Sequence, residues 1–186
     1  MNVQATLKQM LTELNETLSQ VSSEEADLLA EAIAAANRVF IAGVGRSGLM
    51  VRGFAMRLTH MGFNVHVVGD VTTPAITADD LLVIGSGSGS TATLQVFADK
   101  AKTVGSKIAL VTALDNSPIA QLADIVLAVP APTLKKENET GFASVQPMGS
   151  LFEQSMLLTL DTIILLLMSK TKIDNDAMFA RHANLE

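Results

Sequence analysis

The chain has 186 residues, 48% of them hydrophobic and 17% charged, a balance that suits one folded domain with a sizeable core and excludes a disordered chain. A formal charge of -6 and a pI near 5.0 argue against a nucleic-acid partner, whose phosphates are held by clustered Lys and Arg, and without Trp or Tyr only seven Phe remain to stack on bases. Cysteine is absent, which removes disulfides, thiolate metal sites and cysteine nucleophiles together and fits a cytoplasmic location.

The N-terminal residues show no basic stretch leading into an apolar core, so no signal peptide is expected. Residues 4–36 read as two helices. Leu7, Met10, Leu11, Leu14 and Leu18 keep a three-four spacing, and Ser22 with Glu25 forms a capping box that restarts the pattern toward Leu28, Leu29 and Ile33. This pair has an apolar stripe and no chemistry, which assigns it to packing or subunit contact.

From Arg38 the period changes. Residues 39–42 form a continuous apolar strand, followed by the glycine loop Gly43-Val44-Gly45-Arg46-Ser47-Gly48 and helical spacing over 49–61, closed by Gly62. A strand at 65–68 and a connection through Pro74 lead to the strand 81–84. There the chain breaks into Gly85-Ser86-Gly87-Ser88-Gly89-Ser90-Thr91 and opens a helix over about 90–104, ended by Gly105. A strand at 108–111, a turn at Asp115-Asn116, a short helix begun by Ser117-Pro118 and a strand at 125–129 follow. Residues 130–148, with Lys135, Lys136 and Gly141, form an irregular segment long enough to be a functional loop. A helix over 150–168 and a polar end carrying Arg181 and His182 complete the chain. The apolar run 156–168 is too short, and too polar at Thr159, Asp161 and Thr162, to span a bilayer, so no membrane partner is expected.

Five short apolar strands separated by helical crossovers predict an α/β fold, a five-stranded parallel sheet with helices on both faces, doubly wound in the flavodoxin manner and preceded by a helical pair. The chain is read as one domain over 1–186, with N-terminal helices at 1–36, the sheet core at 37–130 and C-terminal helices at 149–186. Both glycine loops fall at the carboxyl edge of such a sheet, where ligands bind.

The second loop suits an anion. Its glycines let backbone N–H groups approach, its serines donate, and the following helix adds its positive end. No Lys or Arg lies between Gly85 and Thr93, which excludes a Walker A loop. The first loop matches G-x-G-x-x-G with Asp70 beyond the next strand, the dinucleotide pattern, but it shares its edge with the serine loop and leaves little chain for a catalytic domain. Together the loops suggest a monophosphate on the second and a polar substrate reaching toward Arg46 and Ser47. Ser150-x-x-Glu153 is either a capping box or a carboxylate presented to that substrate. His60 and His66 read as packing or surface groups, and no cluster has metal-ligand spacing.

Ser86-Gly87-Ser88-Gly89-Ser90-Thr91 resembles the Ser-x-Ser-Gly-x-Thr phosphate loop of sugar isomerase (SIS) domains, and Gly43 to Gly48 resembles their first loop. Gly149-Ser150-Leu151-Phe152-Glu153-Gln154 and the ending from Met178 to Glu186 are similar to the 6-phospho-3-hexuloisomerase group of that family. The resemblance implies an isomerase that interconverts D-arabino-hex-3-ulose 6-phosphate and fructose 6-phosphate through a 2,3-enediol, without metal or redox cofactor. Its setting would be the ribulose monophosphate pathway, which serves formaldehyde fixation or pentose synthesis. It further implies Glu153 as the base, His182 as a proton shuttle supplied across a subunit boundary, and a cytoplasmic homotetramer. The implied substrate-binding set is Arg46, Ser47, Ser86, Gly87, Ser88, Gly89, Ser90 and Thr91. Ser90 departs from many such loops, where an acidic residue is frequent. Another SIS-type sugar-phosphate isomerase, or a non-catalytic sugar-phosphate-binding module, is the alternative.

Overall fold

Residues of the strands alternate between two cores, and that alternation decides where everything else lies. In the computed structural model, which describes residues 2–132 and 144–185, the strands are β1 (Val39–Gly43), β2 (Val65–Val67), β3 (Leu81–Gly85), β4 (Lys107–Thr112) and β5 (Ile125–Ala128). All neighbours pair in parallel, in the order β2-β1-β3-β4-β5. Val39, Ile41, Leu81, Val83, Ala109 and Val111 face one core, while Phe40, Ala42, Leu82, Ile84, Ile108 and Leu110 face the other. A strand buried on both sides reads as an unbroken apolar run.

The first core is closed by α2 (Ser23–Ala35), α3 (Gly45–Met61) and α5 (Ser150–Thr171), and the second by α4 (Ala92–Val104) with Ile119 and Ala120. α1 (Val3–Leu18) packs outside on α5, and the short α6 (Asn175–Phe179) packs on α3. The order reverses between β1 and β3, whose last residues, Gly43 and Gly85, are register partners. The carboxyl ends of these two strands therefore flank the topological switch point.

Several expectations need correction. The helix after the first loop begins at Gly45, not Leu49, so most of the G-x-G-x-x-G stretch is already helical. Gly48 serves packing: a Cβ there would stand 2.7 Å from the Gly43 carbonyl oxygen. Asp70 pairs with Arg52 on the surface at 3.2 Å. No helix forms at Ser117-Pro118. The few residues before Asp124, whose own N–H and carboxylate bond Ile108, hold only mixed turns, and the Ile119 N–H is drawn to the Gly89 carbonyl at 3.0 Å. The Ser22 hydroxyl does cap Glu25 N, but the Glu25 carboxylate reaches Ala128 N at 2.9 Å instead of closing the box.

α5 has 22 residues and runs to Thr171, three residues past the expected end at 168, and by length and composition it could cross a membrane. Half of its most apolar window is buried within the fold, against α1, α2 and α3, which is how a core helix reads. The stripe of α1 is divided: Val3, Leu7 and Leu11 are exposed, Met10, Leu14 and Leu18 are half-buried, and the residues it buries are Glu13 and Thr17. Of the expected 130–148 loop, residues 133–143 lie outside the described residues.

At the opposite edge of the sheet, Arg38 grips the fully buried Asp80 carboxylate through Nε at 3.0 Å and Nη2 at 2.7 Å, and Thr77 adds its N–H and hydroxyl at 2.7 and 2.8 Å. Burial pushes the Asp80 carboxyl up, but Arg38 and Thr77 outweigh it and hold it below the ordinary value of 3.8. The stabilisation is complete above that value and is lost as the pH falls through the lowered one. Asp80→Asn should lower the melting temperature at pH 7 by about 5–10 °C and flatten the acid limb of its pH dependence, as thermal melts from pH 2 to 7 will record. Gly48→Ala, which sets a Cβ against backbone, should cost about 1–3 kcal/mol in denaturant melts, whereas Gly53→Ala on the same helix, with open space at its Cβ, should stabilise slightly.

Candidate active site

Each helix leaves its first N–H groups without intrahelical acceptors, and side chains usually satisfy them. α1, α2 and α6 follow that pattern, capped by Asn2, Ser22 and Asp174. The N-caps of α3, α4 and α5, namely Val44, Thr91 and Gly149, make no side-chain cap bond. These three ends meet at one cleft of about 370 Å³ at the carboxyl edge of the sheet. Val44, Arg46 and Ser47 line it from α3, Ser86, Gly87, Ser88 and Thr91 from the β3–α4 turn, and Gly149, Ser150, Phe152 and Glu153 from α5. The cleft thus receives the positive ends of three helix dipoles, together with hydroxyls from both glycine loops.

The serine loop is held open from behind. Gly89 has φ 55, a left-handed value, and its Cα faces Ser117 so closely that a Cβ would collide with that hydroxyl. Ala113 N donates to the Gly87 carbonyl at 3.2 Å and Ser86 N to the Val111 carbonyl at 3.0 Å, which ties the loop to β4. The amides of Gly87 and Ser88 donate to no acceptor among the described residues. A phosphate seated there would take N–H and O–H donors, each charge-assisted bond contributing about 1.5–3 kcal/mol.

Glu153 stands in the first turn of α5 with its side chain 15% exposed, and its Oε2 accepts from Arg46 Nε at 2.5 Å. Arg46 is 59% exposed and joins the α3 end to the α5 end across the cleft. The capping-box reading of Ser150 and Glu153 is not realised, because Gly149 is the N-cap and the carboxylate turns to Arg46.

Of the sequence-derived site, Arg46, Ser47, Ser86, Gly87, Ser88, Thr91 and Glu153 come together as lining residues. Gly89 and Ser90 are not among them. Gly89 supplies the turn, and the Ser90 hydroxyl donates to Ser88 Oγ at 3.2 Å. His182 is in a different cleft, of about 590 Å³, lined from α3, α5 and α6. There its ring lies 5.2 Å from that of the buried His60 and 6.0 Å from Phe179. His66 packs its ring 5.3 Å from Phe40. Sequence reasoning missed Pro147, Met148, Phe152 and Leu94 as walls, since an apolar residue in a loop or first turn carries no signal of what it faces. No cluster of three or more metal-ligating side chains occurs among the described residues.

The model of the SIS domain family matches residues 32–167. The chain is 46% identical over 178 residues to a Bacillus subtilis (strain 168) protein named 3-hexulose-6-phosphate isomerase, covering 96% of each, and 44% identical over 174 residues to a Mycobacterium gastri protein of the same name, covering 94% of this chain and 86% of the other. Among solved structures, a Methanococcus jannaschii protein superposes with a TM-score of 0.85 at 32% identity, covering 98% of this chain and 99% of its own, and its structure was read as inferring a 3-hexulose-6-phosphate isomerase. With a family model that spans residues 32–167 and relatives at 44–46% identity over nearly its whole length, this chain belongs to the SIS domain family.

Proposed function

We propose that the chain is a sugar-phosphate isomerase that interconverts D-arabino-hex-3-ulose 6-phosphate and fructose 6-phosphate, as the names of its relatives suggest. The observation that carries this reading is the meeting of three helix N-termini without side-chain caps and one carboxylate on a single cleft. The phosphate sits on Ser47, Ser86, Gly87, Ser88 and Thr91, which leaves the ketose carbons toward Arg46 and Glu153. The Glu153 carboxylate takes the proton from C2, and the C–H electrons move into the C2–C3 bond while the C3 carbonyl becomes an enediolate oxygen. After a proton passes between the oxygens on C2 and C3, the C2 oxygen closes to a carbonyl and the proton returns to C3. The guanidinium of Arg46 offsets the charge of the enediolate as it develops. No step needs a metal or an electron carrier, since the carbon oxidised and the carbon reduced are neighbours in one molecule.

His182 shuttles the proton between the two oxygens in this reading, and it does so for a second copy of the chain, because in its own chain it shares a cleft with His60. The exposed row of Val3, Leu7 and Leu11 on α1 supports a homo-oligomer, assigned here as a tetramer. The absence of cysteine suits the cytoplasm, and the activity is that of the ribulose monophosphate pathway.

A coupled assay that offers 3-hexulose, pentose and heptose phosphates side by side tests the substrate. Turnover of the hexulose ester should exceed the others by at least about 100-fold, and equal rates would point to a different SIS isomerase. Glu153→Gln should lower kcat by about 100- to 10,000-fold with little change in KM, and a variant within a few-fold of wild type would remove Glu153 from the chemistry. Mixing Glu153→Gln with His182→Asn subunits should restore about a quarter of the sites when the two residues come from different copies, and none when they come from one.

A further inference from the structure

The wall of the cleft made by Pro147, Met148 and Gly149 holds an unfavourable conformation. Met148 has φ 59, a left-handed value that a side chain with a Cβ keeps only when its neighbours impose it. On one side the wall continues into α5 and Glu153. On the other it continues into Ser144, Val145 and Gln146, which are fastened to a single side chain of α1. Glu13, only 6% exposed, accepts from Ser144 Oγ at 2.7 Å, from Val145 N at 2.8 Å and from Gln146 Nε2 at 3.2 Å. Gln146 then accepts from Gln154 Nε2 at 2.7 Å, so the relay ends beside Glu153. Toward its N-terminus α1 is parted from the same segment by a groove of about 520 Å³ lined by Asn2, Thr6, Gln9 and Gln146, and the two are joined at Glu13.

We propose that Glu13 is a positioning residue of the isomerase site, whose carboxylate holds the 147–149 wall and the first turn of α5 so that Glu153 faces the serine loop. The inference rests on reading that cleft as the isomerase site. It gives α1, which carries none of the cleft residues, a direct hold on the chemistry. Burial raises the Glu13 carboxyl, but Val145, Ser144 and Gln146 together bring it below its ordinary value, so at neutral pH it acts only as an acceptor. All the contacts point one way: every partner of Glu13 donates, and Gln146 donates to Glu13 while accepting from Gln154. Glu13→Gln keeps the volume but sets one amide donor against another.

The experiment compares wild type, Glu13→Gln and the exchange Glu13→Gln/Gln146→Glu, in which an amide at 13 donates to a carboxylate at 146 that also accepts from Gln154. Isomerisation kinetics, competitive inhibition by inorganic phosphate and amide hydrogen exchange are read on each. Glu13→Gln should lower kcat by about ten-fold or more. Its phosphate inhibition constant should stay within about two-fold, because the serine loop is not part of the relay. Exchange should quicken over 145–153 and stay unchanged over 86–91, and the exchange pair should recover kcat to within about three-fold. Unchanged kcat in folded Glu13→Gln, or equal losses of kcat and phosphate binding with faster exchange throughout, would overturn the proposal. Should Glu13→Gln not fold, Gln154→Ala cuts the relay at its half-buried end and must show the same split between kcat and phosphate inhibition; normal kcat there overturns it too. Failure of wild type to turn over the hexulose ester would instead count against the isomerase reading, and the exchange measurement would still decide whether Glu13 holds the wall.

Discussion

Unsatisfied backbone N–H groups at three helix ends are the constraint on which the rest of the molecule depends. A parallel sheet whose strand order reverses between β1 and β3 sends α3 and α4 away from the same edge, and α5 returns its first turn to that edge from the first core. The positive ends of the three dipoles add where they meet, and a doubly negative group is the ligand best matched to them. The residues around the cleft respect this. α3 and α4 carry no acidic side chain in the first turn, which would compete with an anion, and α5 carries one, Glu153.

Glu153 is drawn out of that competition by Arg46. A cation in the first turn of a helix opposes the helix dipole, so the position of Arg46 works against helix stability and is offset by its pairing with Glu153. Its guanidinium spans from the α3 end to the α5 end and engages the carboxylate, while hydroxyls and amides line the rest of the cleft. Under the proposed function this arrangement would let a phosphate loop do without lysine, with the strong cation beside the cleft left to the reacting end of the substrate.

The close approach of α3 to the sheet belongs to the same arrangement. Gly48 rests on the carbonyl of Gly43, and Gly43 pairs with Gly85 across the switch point, so the glycines that resemble a dinucleotide loop are used to bring a helix end down onto the strand ends. Arg46 and Ser47 reach the cleft because of that contact. The buried Asp80 and its partner Arg38 join the starts of β3 and β1 at the opposite edge, five residues of register away from the cleft.

The strands were legible because buried parallel strands are unbroken apolar runs and because glycine and serine interrupt them, while the end of the first glycine loop was not, since its last four residues are already helical. The serine loop, Arg46 and Glu153 were legible by their chemistry and by their resemblance to a known family. Three further things were not. Glu13 belongs to no motif, and only the return of Ser144 to Gln146 onto α1 makes it a buried acceptor. The stripe with Leu7 and Leu11 read as packing or subunit contact without a choice between them, and α1 turns both outward, since a helical period says that a stripe exists and not what covers it. The Glu153 side chain could equally have closed a capping box, and only the packing of α3 against α5 set Arg46 within its reach. Local pattern determined the elements and the donors, because each depends on a few consecutive residues; partners distant in sequence were decided by the tertiary structure, because they exist only after the sheet has brought separate helix ends to one edge.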